Sequence, residues 1–416
     1  MTGKYEITEI DGLTAKSPGI VAKLASRIVP PLVAGRLVIE LPSGERIDRR
    51  GTAPGPEVYV IVNRSRALLR LVFGGDVAFA GSYLDGDWST PDLLRLFELV
   101  MLNESVFRRS QQPALPVRLM ALLRHTARRN TRRGSRRNIA EHYDLGNDFY
   151  RPWLDRDMTY SAALFASQET LEEAQENKIN RIAQMMELKC GKRVLEIGCG
   201  WGALAQALVR GRGCHVTGVT LSEEQAAYAR NRLRQDIDRG DAEIRLQDYR
   251  DVQGCFDRIV SIEMFEAVGQ AYWNTYFELL KGRLAPDGTA VLQVITIAED
   301  RFEQYRNTPD FIQRYIFPGG MLPTKRHLHD LASRVGLRIS ETVSFGGSYA
   351  KTLAEWRSRF LASWPQLQAI GFDDRFKHMW DYYLAYCEAG FRAGATDVTL
   401  LQLKHRQAQA DVSGTG

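Results

Sequence analysis

Cysteine is scarce in this sequence, and its placement limits the chemistry that the protein can perform. The 416 residues include five cysteines, which are Cys190, Cys199, Cys214, Cys255 and Cys387. Their number is odd and no two have the spacing of metal ligands, which argues against a disulfide framework. The seven histidines do not cluster with carboxylates at ligand spacing either. We therefore expect a cytoplasmic protein without a bound metal.

Long apolar runs are also missing. No stretch of eighteen or more apolar residues occurs, which excludes a helix that spans a bilayer. The first residues, MTGKYEITEIDGL, lack the apolar core of a secretory signal. Hydrophobic residues make up 44% of the chain and charged residues 25%, which is typical of a globular protein. The length is sufficient for two domains.

Acidic residues are absent from one segment, residues 118–137, whose sequence is RLMALLRHTARRNTRRGSRR. The segment holds eight arginines although the net charge of the whole chain is only +5. It is either a solvated linker or a surface that attracts phospholipid or nucleic acid. Aromatic residues, which a stacking platform for nucleic acid requires, do not alternate with these arginines. We therefore expect no nucleic-acid partner.

The first part of the chain, residues 1–108, is predicted to be a smaller α+β domain. LVIELPSGERIDRR and PEVYVIVN alternate like strands around a Ser-Gly turn. RALLRLVFGG is predicted to be a helix that ends at glycine, and AFAGSYLDGDWST a loop. PDLLRLFELVML is predicted to be an amphipathic helix with Pro91 at its start. Residues 109–137 then form a basic linker or a membrane-facing helix.

Residues 138–410 show a different pattern, in which strands and helices alternate. KRVLEIG, HVTGVTL, AEIRLQDY, DRIVSIEMF and TAVLQVITIA are predicted strands. GALAQALVRGRG is a predicted helix with a glycine stop, and SEEQAAYARNRLRQD one with Ser222 as its N-cap. The chain ends in helical, aromatic-rich segments. The pattern predicts an α/β domain with a mainly parallel, doubly wound sheet.

A glycine-rich turn after the first of these strands is the predicted cofactor loop. Glycines can adopt positive φ and allow the backbone to approach a ligand closely. The spacing G-x-G-x-G is narrower than the G-x-G-x-x-G of nicotinamide-binding turns and is similar to motif I of class I methyltransferases, which bind S-adenosylmethionine. The residues predicted to contact the cofactor here are Glu196, Gly198, Cys199, Gly200, Trp201 and Gly202.

Polar residues follow the next two strands, where the ligand crevice of a parallel sheet lies. After the second strand the predicted ribose contacts are Thr220, Leu221, Ser222 and Gln225. After the third strand Asp248 is predicted to accept from the adenine amine and Tyr249 to stack on the adenine ring. Arg250 completes this predicted cofactor segment. Each feature alone is equally consistent with ordinary turn chemistry, but their order along the chain favours a cofactor site.

Nine segments together resemble the cyclopropane fatty acid synthase family over roughly residues 138–405. They are IAEHYDLGNDFY (139–150), MTYSAALF (158–165), LEIGCGWGALA (195–205), VTLSEEQ (219–225), QDYRD (247–251), MFEAVG (264–269), FIQRYIFPGG (311–320), FGGSY (345–349) and YYLAYCEAGFRAG (382–394). The N-terminal part resembles that of the bacterial members that act on phospholipids. The resemblance adds Tyr160 and Ser161 to the predicted cofactor contacts.

The resemblance implies methylation of a carbon–carbon double bond in a lipid acyl chain. The alkene would take the methyl group of S-adenosylmethionine, and a base would then remove a proton from the resulting carbocation. A weak nucleophile such as an alkene requires proximity, dryness and stabilisation of the cation. Aromatic rings that could stabilise the cation are Tyr160, Phe265, Tyr315, Phe317 and Tyr349.

The family context also predicts where the protein acts. The implied partner is a phospholipid membrane with unsaturated acyl chains, so we expect peripheral association with the cytoplasmic face. A homodimer is an open alternative to a monomer.

Members of the family typically hold a bicarbonate ion as the base, and this sequence departs from the usual ligands. Glu266, Ile295 and Tyr349 match the glutamate, isoleucine backbone and tyrosine ligands. Ala162, however, stands where the resemblance implies a cysteine, and Gln293 where it implies a histidine. Ala267 likewise replaces a histidine that commonly follows the glutamate. Loss of two donors is expected to weaken an anion site.

These departures lead to a hypothesis about the product, which is a methyl-branched or methylene acyl chain instead of a cyclopropane. Glu266, Tyr349, Gln293 and Ile295 are the predicted catalytic residues. Cys387 matches a cysteine often assigned to the active site of the family, although a helical cysteine among aromatics is commonly a packed apolar residue. Two other readings remain open, a methyltransferase for a soluble small molecule and a non-catalytic lipid- or cofactor-binding module.

The arginine-rich segment yields a first prediction. Charge-neutralising substitution of Arg128, Arg129, Arg132 and Arg133 is expected to weaken co-sedimentation with anionic vesicles at low salt, because each basic residue near an anionic leaflet contributes about 1 kcal/mol. Vesicles of zwitterionic lipid serve as the control. Unchanged co-sedimentation with anionic vesicles would contradict the prediction.

Overall fold

The N-terminal part is a four-stranded sheet with helices on one side. The computed structural model describes residues 29–110 and 145–406, except the side chains of residues 72, 73 and 108–110. The strands are β1 (Ala34–Glu40), β2 (Arg46–Arg50), β3 (Ala53–Val62) and β4 (Trp88–Ser89). Their order in the sheet is β2-β1-β3-β4, in which β1 and β3 are parallel and the other neighbours antiparallel.

The larger part is built on a seven-stranded sheet with the order β10-β11-β9-β8-β5-β6-β7. The strands are β5 (Arg193–Ile197), β6 (His215–Thr220), β7 (Ala242–Leu246), β8 (Phe256–Ile262), β9 (Leu284–Ile297), β10 (Leu337–Ser344) and β11 (Thr396–His405). Strands β5 to β9 are parallel, whereas β11 pairs antiparallel with both β9 and β10. The strand order reverses at β5, between β6 and β8, which is the place where ligands bind in such sheets.

Helices flank both sheets. They are α1 (Arg66–Leu84), α2 (Leu93–Leu102), α3 (Glu104–Ser110), α4 (Asn147–Tyr150), α5 (Leu171–Met185), α6 (Ala203–Arg212), α7 (Glu223–Arg232), α8 (Arg234–Asp238), α9 (Trp273–Arg283), α10 (Phe302–Asn307), α11 (Lys325–Arg334), α12 (Gly346–Ala362), α13 (Trp364–Ala369) and α14 (Asp374–Arg392). A turn of π-helix covers Ile312–Ile316. Within the described ranges, no helix is both long and apolar enough to cross a membrane.

The doubly wound α/β sheet predicted from the sequence is confirmed, and so are the helix caps that the sequence indicates. The side chain of Ser222 accepts a hydrogen bond from the Gln225 amide, and Gly213 ends α6 with a φ of 63°. The expected basic segment 109–137 lies outside the described residues, apart from its first two positions. The predicted boundary of the catalytic domain at residue 138 and its end at 410 lie outside them as well.

The glycine stop predicted for the first helix is present, because Gly75 interrupts α1 with φ 64° and ψ −158° and a second helical stretch then runs to Leu84. Two other local predictions for the N-terminal part are wrong. The segment predicted as a loop, residues 78–90, contains the end of α1 and strand β4. Pro91 precedes the helix that it was expected to open, since Asp92 is the N-cap of α2.

The two parts of the chain pack together through α14. Its Tyr382 ring lies 4.8 Å from Phe97 of α2 and 5.7 Å from Tyr83 of α1, measured between ring centroids. Arg375 of the same helix pairs with Asp85, at 3.2 Å. Aromatic pairs of this kind contribute about 0.5–1.5 kcal/mol each beyond their burial. The N-terminal part therefore forms a wall of the same interior as the catalytic sheet.

Asn103, at the end of α2, joins this helix to the start of β1 through four hydrogen bonds of its buried side chain. Its fully buried amide accepts from the Val33 and Ala34 N–H groups at 2.7 and 3.0 Å, and donates to the carbonyls of Ala34 and Leu99 at 2.9 and 2.8 Å.

Asn103→Ala is expected to lower the free energy of unfolding by about 2–4 kcal/mol, because it leaves buried backbone N–H and C=O groups without hydrogen-bond partners. Urea denaturation measures the change. Asn63→Ala, at an exposed turn, is the control and is expected to change the free energy by under about 1 kcal/mol. Equal effects of the two substitutions would contradict this account.

Candidate active site

A smaller cleft lies at the carboxyl ends of β5, β6 and β7. Residues from all three strand ends line it, together with residues 158–161 and one face of α5. Of the predicted cofactor contacts, eleven line this cleft: Tyr160, Ser161, Glu196, Gly198, Cys199, Gly200, Trp201, Thr220, Leu221, Gln225 and Tyr249. The structure therefore brings most of the sequence-predicted residues to one place.

The glycine loop has the backbone that its sequence indicates. Gly198, Gly200 and Gly202 have φ of 83°, 51° and 82°, in the left-handed region where residues with a Cβ are strained. A Cβ at Gly200 would meet nothing within 4 Å, so the backbone there borders open space. A Cβ at Gly202 would instead lie 3.1 Å from that of Ala229, so this glycine serves the packing of α6 against α7.

The residues after β6 and β7 divide into ligand-facing and structural groups. The Thr220 hydroxyl donates to the Gln225 side chain at 2.9 Å, which orients both toward the cleft. Ser222 is the helix cap described above. The Asp248 carboxylate accepts from the Arg250 guanidinium at 2.6 and 2.9 Å. Asp248 does not line the cleft, and an adenine contact at its carboxylate would compete with this internal ion pair.

A second and larger cavity, of about 970 Å³, lies between the N-terminal part and the catalytic sheet. Its walls are mainly apolar and include Leu37, Val60, Phe97, Ile297 and Tyr383. The volume is at the upper end of the range for small-molecule sites, roughly 300–1,000 Å³. Two predicted cation-stabilising rings besides Tyr160, those of Phe317 and Tyr349, line it, whereas Phe265 stacks on Trp273 in the core. Such a cavity suits a long apolar ligand.

The two cavities meet at Tyr160, Glu263 and Ala267, which line both. An aromatic cluster holds the Tyr160 ring in this position. Its centroid is 5.1 Å from that of Trp356 and 5.8 Å from that of Trp153, and its hydroxyl lies 3.0 Å from that of Tyr383. A ligand in the cleft and one in the large cavity would therefore approach each other beside Glu263.

The Glu263 carboxylate is the centre of this junction. The Ala162 N–H donates to its Oε1 at 2.8 Å, and the Gln293 amide donates to the same oxygen at 2.7 Å. The Tyr349 hydroxyl donates to Oε2 at 2.7 Å. Three of the positions predicted to surround a bicarbonate ion thus surround a side-chain carboxylate.

Glu266, the predicted catalytic glutamate, lies beside Glu263 with a different set of contacts. Its Oε1 accepts from the Ile295 N–H, while its Oε2 is buried and has no hydrogen-bond partner within the part of the chain that the structure describes. The Ile295 amide, which was predicted to face an anion, is therefore bonded to Glu266. The residues that the resemblance assigns to an anion site therefore lie together. Their hydrogen bonds, however, go to the carboxylates of Glu263 and Glu266.

Because both glutamates are buried and repel each other when ionised, one carboxyl group keeps its proton while the other is ionised. Burial, together with the nearby charge of Glu263, raises the pKa of Glu266 to about 8. Burial also raises the pKa of Glu263, but Tyr349, Ala162 and Gln293 oppose this shift by stabilising the ionised form. We therefore assign the single negative charge of the pair at neutral pH to Glu263.

Cys387 lies in the wall of the large cavity, among the residues around Tyr349. Burial raises the pKa of its thiol far above the usual range, so the sulfur stays protonated. A protonated thiol is a poor nucleophile and contributes apolar surface.

Glu263 and Lys178 are the two site residues that the sequence analysis missed. Glu263 follows β8 directly with a φ of 49°, a conformation that is uncommon for a residue other than glycine. The signal available in the sequence was its place three residues before Glu266, at the end of a predicted parallel strand. Lys178 offered no signal beyond its charge in the middle of a helix.

The cofactor implied by this fold fits the cleft. Open space borders the Gly200 backbone, and Glu196 presents a buried Oε2 with no partner among the described residues. These features suit a ligand with a cationic amino group, such as S-adenosylmethionine. A bicarbonate ion does not fit, because the donors that would hold it already bind Glu263 and Glu266.

The fold and the cleft define a class I methyltransferase. Coclaurine N-methyltransferase, whose crystal structure is 17% identical in sequence, shares the fold with a TM-score of 0.58 over 79% of this chain and 99% of that one. The chain belongs more narrowly to the mycolic acid cyclopropane synthetase family, whose sequence model matches residues 130–401. It is therefore a methyltransferase of the family that the sequence motifs indicated.

Three relatives illustrate the family. The tuberculostearic acid methyltransferase UfaA1 of Mycobacterium tuberculosis is 40% identical over 84% of both chains. The cyclopropane-fatty-acyl-phospholipid synthase of Escherichia coli K12 is 36% identical over 88% of this chain and 92% of its own. The crystal structure of mycolic acid cyclopropane synthase CmaA1, complexed with SAH and CTAB, is 32% identical with a TM-score of 0.61, over 64% of this chain and 97% of that one.

The raised pKa of Glu266 predicts how the stability of the ligand-free protein depends on pH. Below the ordinary value of 4.5 this carboxyl is protonated in both states. Between 4.5 and about 8 the unfolded chain ionises while the folded protein retains the proton, so the free energy of unfolding falls as pH rises.

Glu266→Gln removes this dependence. Relative to the wild type, the variant is expected to gain on the order of 2 kcal/mol between pH 5 and pH 8. Denaturant unfolding at several pH values measures the slope, and Glu278→Gln on the exposed face of α9 is the control. Parallel curves for Glu266→Gln and the wild type would contradict the assignment.

Proposed function

We propose that this enzyme transfers a methyl group from S-adenosylmethionine to the double bond of an unsaturated acyl chain of a membrane phospholipid, with Glu263 as the base. The observation that carries the proposal is the Glu263 carboxylate at the junction of the two cavities, held by three donors. The large apolar cavity suits an acyl chain, and relatives named for fatty acids and fatty-acyl phospholipids support this substrate class.

S-adenosylmethionine, when bound, supplies an electrophilic methyl group whose transfer leaves a carbocation on the acyl chain. The residues that would hold this cofactor are the cleft residues, above all Ser161, Glu196, Thr220, Gln225 and Tyr249. The apolar wall excludes water, which would otherwise capture the cation. The rings of Tyr160, Phe317 and Tyr349 present faces that can stabilise a positive charge.

Glu263 then removes a proton from a carbon next to the cation, and the electrons of that C–H bond become the second bond of a carbon–carbon double bond. Proton loss from the methyl-bearing carbon gives a methyl-branched alkene. A methylene group forms when a hydride first shifts from that carbon to the cation, so that the new methyl group becomes the neighbour that loses the proton.

The raised pKa of Glu263 makes it a stronger base than an exposed carboxylate. The neutral Glu266 stays protonated beside it. Tyr349 and Gln293 position the carboxylate, and their hydrogen bonds loosen as the carboxylate accepts the proton.

We further propose that the product is an unsaturated chain with a methylene or methyl branch and not a cyclopropane. The base is attached to the backbone after β8, at a site where Ala162 and Gln293 replace the cysteine and histidine that the family resemblance implies. A tethered carboxylate removes protons only from the atoms that its geometry reaches. The name of the 40% identical relative, a fatty-acid methyltransferase, agrees with this choice.

The product is tested by expressing the chain in a host without its own cyclopropane synthase, fed with methionine deuterated at the methyl group. Ozonolysis of the recovered phospholipid acyl chains, followed by mass spectrometry, distinguishes the outcomes. Labelled chains that ozone cleaves contain a double bond and support the proposal. Labelled chains that resist ozone but have the mass of one ring or double bond contain a ring, which would overturn the product but not the methyl transfer.

The role of Glu263 predicts that activity does not require bicarbonate. Purified enzyme freed of carbon dioxide is expected to keep its full rate, whereas Glu263→Gln is expected to lose at least about 100-fold, the typical contribution of a general base. Glu263→Ala opens a space beside Ala162, Gln293 and Tyr349, so added bicarbonate or formate is expected to restore part of the rate.

Two controls make this test specific. Binding of S-adenosylhomocysteine to each variant shows whether the cofactor cleft is intact, and Glu355→Gln on the outer face of α12 is expected to keep the wild-type rate. A wild-type rate that falls when carbon dioxide is removed, or a fully active Glu263→Gln variant, would overturn the assignment of the base.

A further inference from the structure

Lys178 is a buried cation whose role the mechanism above leaves open. It lies on the face of α5 that also carries Gln175 and Ile182, and only 2% of its surface is exposed. Its Nζ donates to the Ser161 hydroxyl at 2.7 Å. Ser161 and Lys178 both line the cofactor cleft. The ammonium group therefore lies in the wall of this cleft, beside Ser161.

The charge of Lys178 has no direct counter-ion. In the part of the chain that the structure describes, no carboxylate oxygen lies within 4.0 Å of Nζ, and the neutral Ser161 hydroxyl is its hydrogen-bond acceptor. An ammonium carries three donors, and a buried lysine is rare unless it is paired. Burial lowers the pKa of Lys178 to about 8, although Glu263, Asp155 and Glu196 oppose this shift from a greater distance. Lys178 therefore remains largely charged at neutral pH, and no carboxylate of the described residues pairs with it directly.

A complementary group lacks a partner in the same cleft. Glu196 Oε2 is buried without a hydrogen bond among the described residues, and it interacts electrostatically with Lys178. One unpaired cation and one unpaired acceptor in a single cleft match the two ends of an α-amino acid, which carries a carboxylate and an ammonium group. The methionine portion of S-adenosylmethionine has both.

We propose that the ammonium group of Lys178 binds the carboxylate of the methionine portion of the cofactor. The Ser161 hydroxyl holds this ammonium group in place, and Glu196 binds the amino group of the cofactor. The inference rests on the proposed use of S-adenosylmethionine and adds Lys178 as the residue that recognises the carboxylate of this cofactor. Gln175, one helical turn before Lys178 on α5, supports this arrangement because its side-chain amide donates a hydrogen bond to the Ser161 carbonyl at 3.0 Å. The helix α5 thereby fixes both the backbone and the hydroxyl of Ser161.

The test compares two ligands by isothermal titration calorimetry on the full chain, S-adenosylhomocysteine and its decarboxylated form. Wild-type protein is expected to bind the carboxylated ligand about 10- to 100-fold more tightly, the ratio for a hydrogen-bonded charge. Lys178→Met is expected to bind the two ligands with nearly equal affinity. Its affinity for S-adenosylhomocysteine falls about 10- to 100-fold below that of the wild type, whereas its affinity for the decarboxylated ligand stays within about twofold of the wild-type value.

Gln175→Met is the matched control, since it removes a buried polar side chain from the same face of α5 without removing a charge. It is expected to weaken both ligands equally. Equal weakening of both ligands by Lys178→Met would show a merely structural role and overturn the proposal.

The wild-type ratio keeps the proposal testable even if Lys178→Met does not fold. Equal affinity of wild-type protein for the two ligands would mean that no residue reads the carboxylate, which overturns the proposal directly. Failure of wild-type protein to bind either ligand is a different result, because it would contradict the proposed function itself.

Discussion

The hydrogen bonds to the Glu263 carboxylate are the interactions on which the reaction centre depends. They connect the segment before α5, strand β9 and helix α12 to the residue that follows β8. The positive φ of Glu263 costs on the order of 1–3 kcal/mol. Three hydrogen bonds to a charged group, at about 1.5–3 kcal/mol each, exceed that cost. The strained backbone therefore persists because the carboxylate is held in place from three sides.

The position of this carboxylate between two cavities explains why it can act as a base. Apolar walls on the side of the large cavity raise its pKa, while its donors limit the rise and keep it ionised. A carboxylate in water would be too weak a base, and one without donors would hold its proton permanently. The same walls keep water from a cation on the ligand. Burial and hydrogen bonding thus have to be balanced at a single residue.

Much of this arrangement could be predicted from the sequence where the signals are local. The glycine loop, the Ser222 cap and the parallel strands depend on residues that are adjacent in the chain. Glu263 could not be identified in this way, because its partners Ala162, Gln293 and Tyr349 lie 101, 30 and 86 residues away. Strands β10 and β11 were missed for a related reason: they pair across a separation of more than fifty residues, filled by helices. The resemblance located the anion site, but only the fold shows which side chain fills it.

Charge balance links the cofactor cleft to the acyl cavity. The cofactor cleft and its junction with the large cavity hold one ammonium, Lys178, and three glutamates, Glu196, Glu263 and Glu266. An enclosed site of low dielectric tolerates little net charge, so one ionised glutamate is matched to one ammonium. In the ligand-free protein, Glu196 and Glu266, whose pKa values burial raises to about 8, are the two that stay mainly protonated at neutral pH. In the proposed mechanism, transfer of a proton from the carbocation to Glu263 removes a positive and a negative charge together. The site is therefore electrostatically arranged to favour proton loss at this carboxylate over any step that would leave the charges separated.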